Sequence, residues 1–131
     1  MRARYDIYLQ NYAKVLHIEA HTMVSMAQKD ILPAALRYSR ELAETIIAKR
    51  EALPYRPGLD VETDLLQDIN DLTENFDKQL KALRRALDEA DRADWSAQGR
   101  AEFYRDTVIP VMEELRAFAD GLEVQIGRAH V

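Results

Sequence analysis

From Leu65 to Ala90 the apolar residues Leu65, Ile69, Leu72, Phe76, Leu80, Leu83, Leu87 and Ala90 follow one another at intervals of 4, 3, 4, 4, 3, 4 and 3. An α-helix turns once in about 3.6 residues, so such a series forms one apolar seam along one side of a helix. A half-buried strand would need alternation at period two, and no stretch of this chain sustains it. The opposite side carries Asp, Lys, Gln and Arg. A helix of this length with a single seam must bury that seam against other helices. Asp60, with Glu62 in the first turn, is placed to cap its start.

Two more helical patterns flank this one. Before it, Tyr5, Tyr8, Tyr12, Val15, Met23, Met26 and Ala27 form a stripe from about Arg4, which resumes through Leu36, Ala43, Ile46 and Ile47 to about Leu53. Pro33 lies inside that pattern; it removes one backbone donor and its ring presses on the carbonyl of Lys29, so a kink or a break is expected near Asp30 to Pro33. After it, Ala97, Ala101, Tyr104, Val108, Val111, Leu115, Phe118 and Leu122 step by 4 and 3, with Pro110 inside. The breaks are Pro54-Tyr55-Arg56-Pro57-Gly58 and Ala93-Asp94-Trp95-Ser96. Ser96 is the expected N-cap of the third helix. The predicted fold is all-α, an up-down bundle of three long helices, the first and third kinked at Pro33 and Pro110.

Laid out with short loops, this order sets Leu53 level with Asp60 and Arg92 level with Ser96. Counting along the helices then sets Pro110 at roughly the height of Pro33. It also leaves about the first 20 residues without a partner helix in this chain. Their apolar stripe, including Tyr5, Tyr8, Leu9, Tyr12, Val15 and Leu16, is expected to pack on upstream polypeptide or on a second copy through residues 4–20.

Composition narrows the function classes. The 131 residues are 47% hydrophobic and 31% charged with a net charge of −5, a globular balance with room for one core. Interleaved charges and an acidic total argue against nucleic acid and against an anionic membrane surface as partners. No apolar run reaches the roughly 18 residues of a membrane span, and the N-terminus lacks the apolar core of a signal peptide. The absence of cysteine removes disulfides and thiolate chemistry, and it fits a cytoplasmic location. The four glycines form no phosphate-cradling loop.

Side-chain chemistry is sparse. His17 and His21 are four apart and share a helix face, which suits one metal ion. The zinc-protease spacing H-E-x-x-H is not met, however: Glu19 is two residues from each histidine and points elsewhere, and no third ligand is evident. The favoured reading is a pair of partly buried histidines at a packing surface, with no metal, cofactor or catalytic residue assigned. Carboxylate-bridged di-iron bundles need Glu-x-x-His pairs, which are absent. Asp88, Glu89, Asp91 and Asp94 read as a solvated helix end. Lys78, Lys81, Arg84 and Arg85 read as the wet face of the second helix. Tyr38 and Tyr104 read as core.

Several stretches carry a resemblance. Ile18-Glu19-Ala20-His21-Thr22-Met23, then Met26-Ala27, then Ile31-Leu32-Pro33-Ala34-Ala35-Leu36-Arg37-Tyr38 resemble the C-terminal helical region of type III glutamine synthetases. Tyr104-Arg105-Asp106, Val108-Ile109-Pro110-Val111-Met112, Leu115-Arg116 and Asp120-Gly121-Leu122-Glu123 are similar to the same region in the same order. The resemblance covers roughly residues 4–124. It implies a parent enzyme that joins ammonia to glutamate with ATP and a divalent metal, in an upstream β-grasp and catalytic domain at a subunit interface of a ring. It implies that this chain is a fragment with a structural role, whose partners are that catalytic domain and neighbouring subunits. No catalytic or metal-binding residue transfers to a position here.

The end of the chain departs from the family, which usually continues to a Trp-Pro-containing tail. Ile126-Gly127-Arg128-Ala129-His130-Val131 resembles translated adapter sequence instead. Residues 1–125 are therefore expected to form the bundle domain and 126–131 a non-native tail, with Gly127 ending the third helix. The alternative to a synthetase fragment is a self-standing helical interaction module.

Overall fold

A computed structural model of the chain describes residues 2–55, 60–92 and 94–129. Among the described residues there are three long helical runs and no strand. The first run is α1 (Arg2–Met26), a π-helical turn (Ala27–Ile31) and α2 (Leu32–Ala52). The second is α3 (Asp60–Arg92). The third is α4 (Ala97–Phe103), a second π-helical turn (Tyr104–Val108) and α5 (Ile109–Ala129). The expected all-α bundle is what the chain forms.

The seam through α3 lies where the spacing placed it. Ile69, Phe76 and Leu83 are wholly buried, as nearly are Leu80, Leu87 and Ala90, while Leu65 and Leu72 pack at its margin. Lys78, Lys81, Arg84 and Arg85 are exposed on the far side. Antiparallel pairing with α2 is fixed by Lys49 bonding to Glu62 and by Ser39 Oγ donating to Asn70 Oδ1 at 3.2 Å.

The breaks are built as their residues require. Leu53 leaves the helix with its N–H still donating to the Lys49 carbonyl at 2.8 Å, and Pro54 and Tyr55 turn away. Arg56, Pro57, Gly58 and the Asp60 cap lie outside the described residues and side chains. Ser96 is extended, at φ −68° and ψ 160°, and its Oγ accepts from the Gly99 N–H at 2.9 Å, which makes it the N-cap of α4. The Trp95 indole N–H donates to the Glu89 carbonyl at 3.3 Å while its ring stacks on Phe103. One side chain thus ties the linker to the end of α3 and to α4.

Each mid-helix proline follows a π turn at the same distance. Leu32 N–H donates to the Ala27 carbonyl and Ile109 N–H to the Tyr104 carbonyl, five residues back in each case, and Pro33 or Pro110 comes next. A five-residue hydrogen bond widens the turn in which the ring would otherwise meet a carbonyl. The helices run on through both prolines.

The π turns also change phase along each run, and two expectations about buried faces fail. The buried side of the first run is not the tyrosine stripe. It is Leu9, Ala13, Ala20 and Ala27, followed after the extra residue by Ala35, Tyr38, Leu42 and Ile46. Tyr5, Tyr8, Val15, Met26, Leu36 and Ile47 are exposed. Alanine lets a neighbouring helix approach closely, so the small residues face inward although the tyrosines are more apolar in bulk. In the third run, Met112 takes the buried place expected of Val111.

The levels also differ from the simple count. Tyr104 lies against His17, and Met112 lines a groove with Met23 and Ala27. Pro110 is therefore well below the height of Pro33, by about 15 Å at roughly 1.5 Å per residue. The linker from Asp94 to Ser96 is not helical and carries the chain past the end of α3 before α4 begins. As a result α4 packs on α1, and Leu9 and Ala13 are buried there. The expected absence of a partner for the first 20 residues is thus corrected for the face of α1 that α4 covers. Gly127 does not end the third helix: α5 continues to Ala129, and Ile126 packs against the core. His130 and Val131 lie outside the described residues.

Candidate functional site

The polar chemistry of the molecule collects where α1, the end of α3 and α4 meet. His17 and His21 project from adjacent turns of α1, with ring centroids 4.3 Å apart and planes at 61°. The end of α3 brings Asp91 to them, with Oδ1 3.7 Å from His17 Nδ1. Tyr104, at the start of the second π turn, shares a hydrogen bond of 2.9 Å between its Oη and the same Nδ1. One ligand atom from each of His17, His21 and Asp91 lies within 4.8 Å of the others.

Tyr104 is the buried member of this group; its side chain is only 2% exposed. Burial pushes its phenol above the usual tyrosine range, and the Asp91 carboxylate adds to that while Arg100 opposes it. The phenol therefore stays neutral at physiological pH and can only give or accept a hydrogen bond. A polar cleft opens beside it, lined by Lys14, His17, Asp91, Trp95 and Arg100.

A second feature is apolar. Ile18, Met26 and Ile31 face Met112 and Leu115 across a groove between the first and third runs, with Phe76 also lining it. Ile18 and Met26 are 57% and 52% exposed. Tyr5 and Tyr8, 56% and 65% exposed, extend the apolar surface toward the N-terminus of α1. Among the described residues, no element covers this open side.

Of the residues singled out by sequence, His17 and His21 do share a face, and Glu19 is indeed turned away, lining the apolar groove instead. Asp91, which reads in sequence as part of a solvated helix end, is the residue the structure adds to the histidines. No spacing rule could find it, because it reaches them from a different helix. Tyr38 and Tyr104 are core residues as expected.

The family description "Glutamine synthetase C-terminal domain" matches residues 1–50. A glutamine synthetase from Butyrivibrio fibrisolvens is 31% identical over 126 residues, covering 95% of this chain and 17% of the relative. A type-3 glutamine synthetase from Dictyostelium discoideum is 23% identical over 125 residues, covering 94% of this chain and 17% of the relative. The chain thus spans about one sixth of the length of these relatives. No solved structure matches it.

Proposed function

We propose that this chain, similar over nearly its whole length to part of the glutamine synthetases, is the C-terminal helical segment of a type III enzyme with a structural, assembly role and no catalytic centre of its own. The parent would ligate ammonia to glutamate in the cytoplasm, with ATP and divalent metal held by its upstream domain. The observation that carries this reading is the similarity over nearly the whole chain to only a sixth of each relative. The uncovered stripe of Tyr5, Tyr8, Val15, Ile18 and Met26 supports it, since a segment built to pack on other parts of an enzyme keeps an apolar face for that contact. Its partners would be the upstream catalytic domain and neighbouring subunits.

Calorimetry of the purified chain with ATP, Mg2+ and glutamate tests the non-catalytic part. The expected result is no specific heat; saturable micromolar ATP binding overturns it. Sedimentation velocity tests the surface. Self-association through residues 4–20 is expected at high concentration and is expected to disappear in the Tyr8→Glu, Ile18→Glu double variant.

One observation favours the alternative of a self-standing helical interaction module: Leu9, Ala13 and Ala20 are already buried within this chain. A compact monomer at every concentration would favour that module over the assembly segment.

A further inference from the structure

We propose that His17, His21 and Asp91 form a binding site for a borderline divalent transition ion such as Zn2+, which clips α1 to the end of α3. Two imidazoles and one carboxylate are the donor types such ions take, and three protein ligands leave further positions to water. Geometry is the first argument. With one donor atom from each residue within 4.8 Å of the others, a point within about 2.8 Å of all three exists between them. Bonds of about 2.0–2.2 Å then require each side chain to close by less than about 1 Å. His21 and Asp91 are exposed and His17 is half-buried, so rotations of this size meet little resistance.

The surroundings of His17 are the second argument. Its Nδ1 faces both the Tyr104 phenol at 2.9 Å and Asp91 Oδ1 at 3.7 Å, and Tyr104 is itself held by the core. An ion shared with Asp91 through that nitrogen takes the place of the phenol's hydrogen bond, and the buried tyrosine keeps the imidazole beside the end of α3. The ligand set differs from the local H-I-E-A-H reading, since Glu19 lies on another face and the third donor comes from α3. A pair on one helix would stabilise only that helix. The third donor makes the ion a tie between α1 and α3.

The test uses the full chain, free of any polyhistidine tag and treated with chelator. ZnCl2 titrated by calorimetry is expected to bind one ion per chain with micromolar affinity or better and to raise the melting temperature. His21→Ala and Asp91→Asn are each expected to weaken binding at least tenfold with unchanged circular dichroism. Both residues are exposed, so neither variant disturbs the core. Glu19→Gln and His130→Ala are expected to bind as wild type. Co2+ in place of Zn2+ is expected to give a visible absorption spectrum that Asp91→Asn alters. The proposal is overturned if wild type binds zinc no better than a His17→Ala, His21→Ala double variant. It is equally overturned if Asp91→Asn keeps wild-type affinity, which would leave only a one-helix histidine pair, or if His130→Ala abolishes binding.

Discussion

Tyr104 Oη and His17 Nδ1 share a 2.9 Å hydrogen bond between residues 87 positions apart, and this bond sets the height at which the third helical run meets the first. It places a buried phenol of the core against a half-exposed imidazole of α1. The bond and the linker at Trp95 together explain why α4 lies alongside α1.

Tyr104→Phe keeps the ring in the core and removes only the hydroxyl. Because His17 can turn to water, the expected loss is about 1 kcal/mol. Tyr104→Ala also opens a cavity and is expected to cost roughly 3–5 kcal/mol. Urea unfolding of the two variants checks this; equal losses would mean that the hydroxyl, not the ring, holds the site.

Ala20 is wholly buried in the alanine face of α1. Ala20→Leu forces a larger side chain into a close helix contact and is expected to destabilise by about 1–3 kcal/mol. Val15→Leu, on the exposed face, is expected to change stability by less than about 0.5 kcal/mol. Thermal melts that rank the two variants in the opposite order would contradict the assignment of the buried face.

Ser96→Ala removes the oxygen that accepts from the Gly99 N–H and leaves an unpaired donor in the first turn of α4. The expected cost is about 1 kcal/mol, and Ser96→Asp is expected to recover most of it. Hydrogen exchange at the Gly99 amide should rise in the alanine variant and fall back in the aspartate variant.

Glu62 has its carboxyl held below the ordinary value of 4.5, first by the hydrogen bond from Lys49 and then by its own backbone N–H, with burial opposing. A carboxyl depressed in the folded state stabilises at pH values above its unfolded pKa, and that contribution is lost as pH falls through the folded value. Wild type is therefore expected to melt higher than Glu62→Gln at pH 7. The gap should start to narrow below about pH 4.5 and close under stronger acid. A gap independent of pH would dissociate the pair from stability.

The seam of α3 was fully legible, because one uninterrupted helix of 33 residues keeps its phase from end to end. Ser96 was legible for a local reason: a cap bonds a backbone group three residues away. The buried face of α1 was not. Two stripes run along α1, and which of them faces inward is decided by the close approach of the neighbouring helices to the small residues. The true signal was the spacing Ala13, Ala20, Ala27, which bulk hydrophobicity ranks below tyrosine.

By itself the sequence determined that this chain is helical, where the breaks between its helices fall and which proteins it resembles, since these depend on residues close in the chain or on whole motifs in order. Only the tertiary structure decided the relative heights of the helices, and with them the meeting of Asp91 and Tyr104 with His17 and His21. Those heights follow from the short non-helical linker between α3 and α4, whose effect is small where it occurs but displaces every contact farther along the third run.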